Sequence, residues 1–452
     1  MRIVLLNLPW RKHGRLGVRA GSRWPFTVKP REEGKLEYVP FPFFLAYATA
    51  LLNRHDHTAG LIDAVAEGLD ENCLIEKVRA FMPELIVIET STPSFDNDIN
   101  IAQSLSRALA GCQIALCGPH AGVYPGLILE RYDFVSFVLI GEYETALVDL
   151  AAAISGGLPL RPVPGLAFRE AGRIYESARR KALVDLDSLP WPERASLPLY
   201  NYNDGFAGLP QPNVQMLSSR GCPFRCTFCL WPQTLYFERK YRKRDPEKVV
   251  DEMGFLIRNY GFKAVYFDDD LFNYDKKHVC GICRQIKKRG ISVPWAVMAR
   301  ADLMDADTLL SMAQAGLYAV KYGIESVNQR VLNACKKKMN IRRSMQAIKL
   351  TRKLGVKVHL TFCLGLPGET KASIRETREF IQAANPDSLQ FSLATPFPGT
   401  EYFTALRGKE AIKSYDWADY DGNRKCIIQT ESLTNEELQD EWDALNRNYN
   451  LQ

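Results

Sequence analysis

No apolar stretch in the chain is long enough to cross a bilayer. The longest, "FPFFLAYATALL" (residues 41–52), falls well short of the ~20 residues a spanning helix needs, so no integral membrane segment is expected. A large excess of charge is also missing: 58 basic against 52 acidic residues leave a net charge of +6, and the basic residues are scattered. The densest basic run, "FERKYRKR" (237–244), belongs to no nucleic-acid-binding motif and reads as a solvated loop leading into a helix. No nucleic-acid partner is expected. The N-terminus "MRIVLLNLPW" has one Arg and only a brief apolar run, and reads as a first strand rather than a secretory leader. A cytoplasmic, reducing setting is the expectation, and structural disulfides are disfavoured there.

What remains is an ordinary globular composition, 46% hydrophobic and 24% charged over 452 residues, enough for two or three domains. Strand and helix patterns alternate from the start: "RIVLLNLP", "FFLAYATALLNRH", "HTAGLIDA", "DENCLIEKVRAFM", "PELIVIETST" and onward to "YETALVDLAAAISGG". This rhythm predicts an α/β fold with a doubly wound parallel sheet over residues 1–155, which binds ligands in the loops at the carboxyl ends of its strands. A Pro- and Gly-rich stretch, 156–212, reads as a hairpin turning at "EAGR" followed by an extended linker. A second series occupies 213–400. Its six strand–helix units, the sixth incomplete, predict a partial (β/α)6 barrel, and 401–452 reads as a short helical segment.

Three of the eleven cysteines, Cys222, Cys226 and Cys229, fall within "RGCPFRCTFCLWPQT" (220–234). Three thiolates on one loop suit an iron–sulfur cube with its fourth iron left open. Zinc is the rival, although a structural zinc site takes four ligands and no fourth Cys or His follows closely. Cys280 and Cys283 form a second Cys-x2-Cys, but inside an amphipathic helix pattern, where they read as helix-face packing residues. Cys363 and Cys426 stand alone.

The Cys-x3-Cys-x2-Cys spacing after a first barrel strand resembles the radical S-adenosylmethionine (SAM) superfamily. Other strand-end strings follow in the family's order: "YFDDD" (266–270), "MARAD" (298–302), "YGIES" (322–326), "LGLPGET" (364–370) and "PFPGT" (396–400). The resemblance implies a [4Fe-4S] cluster on Cys222, Cys226 and Cys229, whose open iron chelates S-adenosylmethionine. Reductive cleavage then gives a 5′-deoxyadenosyl radical. It further implies that Phe228 packs near the adenine and that Asp268, Asp269, Arg300, Glu325 and Ser326 contact the cofactor. Gly365 and Leu366 would meet the adenine through their backbone. A reducing donor such as flavodoxin or ferredoxin and a small-molecule substrate complete the expectation.

Within the superfamily the chain is most similar to the branch with an N-terminal cobalamin-binding domain, and cobalamin is an expected cofactor. No axial histidine is evident. "HDHTAG" (55–60) imitates one signature, but His55 stands where Asp belongs and the string precedes the second strand, so His57 is read as chance. His13 lacks the spacing, and His120 is expected beside the nucleotide loop rather than on cobalt. "CLWPQT", "YFDDD" and "LGLPGET" resemble the hopanoid cyclitol-ether enzymes. That likeness favours ring contraction, or another carbon-skeleton change, of a natural product or lipid headgroup. A cobalamin-dependent C-methyltransferase is the alternative, and a non-catalytic zinc scaffold is the alternative of a different class. An RNA-modifying relative is disfavoured, because only about 50 residues follow "PFPGT".

Overall fold

A computed structural model of the chain describes residues 1–18, 20–29, 38–180 and 183–449. The fold is α/β and divides into two compact units. One comprises Met1–Tyr202 with Leu230–Glu238 and Asp416–Asp421; the other comprises Asn203–Cys229, Arg239–Tyr415 and the chain from Gly422.

In the first unit, strands β1 (Arg2–Asn7), β2 (Thr58–Asp63), β3 (Leu85–Glu89), β4 (Gln113–Cys117) and β5 (Phe137–Leu139) run parallel in the order 2-1-3-4-5. Runs such as Ile3–Leu6 and Leu85–Ile88 are wholly buried, as they must be in a sheet covered by helices on both faces. The crossover helices are bounded by local chemistry. Asp70 caps the helix Glu71–Phe81 by accepting the Cys73 N–H at 2.8 Å, and the helix Glu144–Gly156 ends on left-handed Gly157. Strand order reverses at β1, which opens a crevice at the carboxyl ends of β1 and β3.

The hairpin around "EAGR" does more than bridge two domains. Its strands β6 (Leu166–Glu170) and β7 (Arg173–Glu176) pair antiparallel and extend the first sheet beyond β5. Ala171 and Gly172 both have positive φ, the tight-turn conformation that matches strand twist. Part of the loop after β1 also forms regular structure. Arg11–Lys12, Arg15–Val18 and Phe26–Val28 form a small antiparallel sheet, with exposed His13 at one turn.

The second unit holds β8 (Asn213–Met216), β9 (Ala264–Phe267), β10 (Trp295–Ala299), β11 (Leu317–Glu325), β12 (Lys357–Leu364) and β13 (Ser388–Leu393), all parallel and in sequential order. Parallel strands in sequential order, joined by crossovers of one hand as such units are, carry their helices on one face and leave the other as a barrel interior. Side chains alternate accordingly on β11. The Tyr322 hydroxyl meets Thr351 of the helix Ile341–Lys353 at 2.9 Å, while Lys321 lies over the rings of Phe206 and Tyr266 inside. Residues 203–209 of the linker cross the amino ends of the strands. There Asp204 pairs with Lys321 at 2.9 Å, Tyr318 donates to the Gly208 carbonyl at 2.8 Å, and Lys357 donates to that of Ala207 at 3.2 Å. This segment closes the barrel floor. Among the described residues no helix is long and apolar enough to cross a membrane.

Candidate active site

The cysteine loop leaves the carboxyl end of β8 through Ser218, Ser219 and Arg220. Gly221 then turns with a φ of 88°, and a Cβ there would stand 2.1 Å from the Lys240 carbonyl oxygen. Only glycine fits that approach. Two acids of "YFDDD" fasten the same corner to the end of β9. Asp269 accepts the Ser218 N–H at 2.7 Å and the hydroxyls of Ser218 and Ser219 at 2.5 and 2.6 Å, and Asp270 accepts the Gly221 N–H at 2.7 Å. Burial lifts the Asp269 carboxyl to about 6, although those donors pull it down. Further along, the Thr227 N–H donates to the Cys335 carbonyl at 3.0 Å, and the Tyr402 N–H donates to the Thr227 carbonyl at 3.1 Å.

The three thiols act on one another. Cys226 and Cys229 share a hydrogen bond, and Cys222 influences both through space. Burial pushes Cys222 up to about 11. The bond from Cys229 holds Cys226 below the ordinary thiol range despite burial, helped by Lys337 and Arg300. Among the described residues no three His, Cys, Asp or Glu side chains converge on a single metal-ion position.

Two buried cations face this loop. Arg300 forks onto Asp302 at 3.1 and 3.0 Å, donates to the Lys337 carbonyl at 3.1 Å, and stacks 3.8 Å above the ring of Phe224. Lys337 pairs with Glu325 at 3.2 Å. Burial opposes the Lys337 charge, but Glu325 and Cys226 more than compensate and raise its pKa. Nothing in "ACKKKMN" marks the middle lysine as buried, so Lys337 escapes a reading of the sequence alone. Phe224, Tyr402 and Glu369 escape for the same reason.

The other candidate residues are placed as follows. Asp268 is buried beyond the end of β9, its N–H donating to the Met216 carbonyl at 2.9 Å. Phe228 is buried within the cysteine loop. Glu325 ends β11 at an irregularity in the pairing, with a φ of 67°, and the adjoining Ser326 is buried with its Oγ accepting the Asn328 N–H at 3.3 Å. The amides of Gly365 and Leu366 both turn back onto Glu369, and the Gly365 carbonyl accepts the Tyr402 hydroxyl at 2.6 Å. Tyr402 therefore links the cysteine loop to the loop after β12.

The isolated cysteines are also accounted for. Cys283 packs in the helix Lys276–Lys288, with Cys280 partly exposed beside it. Cys363 lies paired in register with Ser392 in the barrel sheet, and the Cys426 Sγ–H donates to the Ile428 carbonyl at 3.3 Å. Two of the five basic residues of the run 237–244 form ion pairs: Arg244 with buried Glu252 at 2.6 Å and Lys243 with Asp275 at 2.5 Å.

In the first unit, His57 precedes β2 at its amino end, away from the carboxyl-end loops. His120 follows β4 and is buried. Its Nδ1 lies 3.1 Å from the Thr92 hydroxyl, and its ring packs among Phe95, Tyr124 and Trp417. Burial drops its pKa to about 3.

Comparison with known proteins agrees with this architecture. An uncharacterised methyltransferase of Pyrococcus horikoshii is 28% identical over 380 residues, which cover 84% of this chain and 81% of the relative. The solved structure of the radical S-adenosylmethionine methyltransferase TsrM from Kitasatospora setae, with tryptophan substrate and a SAM analog bound, superposes with a TM-score of 0.72 at 19% identity, covering 90% of this chain and 76% of TsrM. The cobalamin-dependent S-adenosylmethionine radical enzyme OxsB, solved with aqua-cobalamin and S-adenosylmethionine, gives 0.72 at 16% identity, covering 98% of this chain and 66% of OxsB. The radical SAM superfamily model matches residues 216–381, the stretch that carries the cysteine loop and most of the barrel, and marks that stretch as a radical SAM domain.

Proposed function

We propose that the chain is a cobalamin-dependent radical SAM enzyme that transfers a methyl group to a small molecule. The observation that carries the reading is the grouping of Cys222, Cys226 and Cys229, buried or half-buried, beside the cations Arg300 and Lys337. The donor set fits an iron–sulfur cluster: soft thiols on one loop, anionic when they ligate, with buried positive charge to offset them. When bound, the cluster supplies an electron that cleaves S-adenosylmethionine, and cobalamin carries the methyl group.

The chain's own residues bind and orient. Cys222, Cys226 and Cys229 hold the cluster, while Asp269 and Asp270 fix the turn that presents them. Asp268, Arg300, Glu325 and Ser326 hold the zwitterionic methionine and ribose end of S-adenosylmethionine through charge-assisted bonds. Phe228 packs on the adenine. Gly365 and Leu366, their amides given to Glu369, offer carbonyl oxygens to it, each with a second lone pair. The crevice at β1 and β3 holds cobalamin. His120, packed among Phe95, Tyr124 and Trp417, would not itself be free to bind the cobalt. A flavodoxin- or ferredoxin-like protein supplies electrons.

Two of the relatives support the methyl-transfer alternative over the ring contraction to which "CLWPQT" pointed: the Pyrococcus horikoshii protein and TsrM are named methyltransferases, whereas OxsB is named only as a radical enzyme. Anaerobic reconstitution tests the reading. About four irons per chain and tight cobalamin uptake are expected. With S-adenosylmethionine, a reductant and candidate substrates, S-adenosylhomocysteine should accumulate. 5′-Deoxyadenosine without S-adenosylhomocysteine would return the case to a carbon-skeleton change, and a colourless zinc protein would sink both.

A further inference from the structure

Three consecutive lysines, Lys336–Lys338, follow the short helix Gln329–Ala334. Lys336 is a surface residue paired with Glu401. Lys337 is not: its side chain is 8% exposed, and lysine is seldom buried so fully unless a function or partner requires it. The backbone is bent to achieve this. Lys336 and Lys338 both adopt left-handed conformations, with φ of 58° and 48°, which non-glycine residues enter at a cost. Their N–H groups return to the helix, donating to Asn333 and Leu332 carbonyls at 3.0 and 3.1 Å, and Arg300 holds the Lys337 carbonyl.

Lys337 Nζ is thereby aimed at Glu325, which is itself left-handed at the irregular end of β11. Gly323 keeps the place open: a Cβ there would lie 2.8 Å from Glu325 Oε1 and 3.7 Å from Lys337 Nζ. Two residues before Lys337, the Cys335 carbonyl anchors Thr227 between Cys226 and Cys229. That bond, with the one from Arg300 to the Lys337 carbonyl, holds the lysine segment against the cysteine loop. In a buried setting a fixed cation beside a cluster favours the form that carries one more electron.

We infer that Lys337 is a positioning residue that fixes positive charge beside Cys226 and Cys229 and so raises the reduction potential of the cluster they hold, with Glu325 setting how much of that charge is felt. The inference rests on the cluster reading above.

The test is an EPR-monitored redox titration of the full-length, anaerobically reconstituted protein without S-adenosylmethionine. Lys337→Gln should leave about tenfold less reduced cluster at a fixed potential, a midpoint lower by about 59 mV for one electron. Lys337→Arg should restore most of it. Glu325→Gln should move the midpoint the opposite way, which a merely structural role for the pair would not do. An unchanged midpoint in Lys337→Gln with full iron content overturns the inference. Should that variant hold no cluster, an unchanged or lower midpoint in Glu325→Gln overturns it instead. Failure of the wild-type chain to assemble any cluster is a different result and removes the cluster reading itself.

Discussion

The guanidinium of Arg300 lies 3.8 Å above the ring of Phe224, the residue midway between Cys222 and Cys226. The same guanidinium forks onto Asp302 and reaches the Lys337 carbonyl. One planar cation therefore ties the cysteine loop to the end of β10 and to the segment that carries Lys337. Lysine cannot reproduce a stack and a fork together. Arg300→Lys should lower stability by about 2–3 kcal/mol, the scale of charged hydrogen bonds and a buried cation–π contact. Reconstituted iron content should fall with it. A thermal midpoint and iron content equal to wild type would mean that the contact organises nothing.

Asp269 organises the other side of the loop. Its carboxylate takes three donors from Ser218 and Ser219 where β8 ends. Asp269→Asn retains one acceptor oxygen but places an N–H against a donor, and the expected loss is about 1–3 kcal/mol. Asp270→Asn, at a half-buried position where the carboxylate accepts the Gly221 N–H, should cost less, because solvent can reach the altered group. Denaturant unfolding of the two variants side by side checks the ranking.

A pH prediction follows from Glu369. Burial raises its pKa to about 8 against the bonds from Gly365 and Leu366, from an ordinary 4.5. Between those values the folded chain keeps a proton that the unfolded chain has released. This contribution to stability is therefore whole below about pH 4.5 and is lost as pH rises through 8, at up to about 1.4 kcal/mol per pH unit. Glu369→Gln, neutral throughout, should abolish that decline. Parallel stability–pH curves for the two proteins would show that the carboxyl is ionised in the fold.

The two sheets were legible because their signals are local. Runs such as "LIVIE" and stops such as Gly157 need no distant partner to be read, and the cysteine spacing is a chemical pattern in itself. What the chain does over long distances was hidden. Strands β6 and β7 look like an isolated hairpin until β5 pairs with β6. Lys337 looks like its neighbours, because its burial is decided by Glu325 and by two strained residues, not by periodicity. Asp268, Asp269 and Asp270 are interchangeable on paper, and only the positions of Ser218, Ser219 and Gly221 separate them.

The least legible feature is also open to test. Residues 416–421, more than 400 positions from the N-terminus, pack within the first unit. Asp421 accepts the N–H and hydroxyl of Thr27 at 3.0 and 2.6 Å, and the Trp417 indole lies 5.2 Å from the His120 ring. Trp417 is only partly buried, so Trp417→Ala should cost about 2 kcal/mol through lost apolar contact. A second effect identifies the contact itself. His120 is held neutral by burial, near 3 against an ordinary 6.5, so the unfolded chain binds a proton there that the folded one refuses. Its contribution to stability is present above pH 6.5 and is lost as pH falls toward 3. Removing the indole admits water to the imidazole and brings its pKa back toward 6.5. The variant should therefore be weaker than wild type at pH 7 yet lose less on going to pH 5. Unfolding measured at both values decides the matter, and an equal loss in the two proteins would mean that Trp417 does not shield His120.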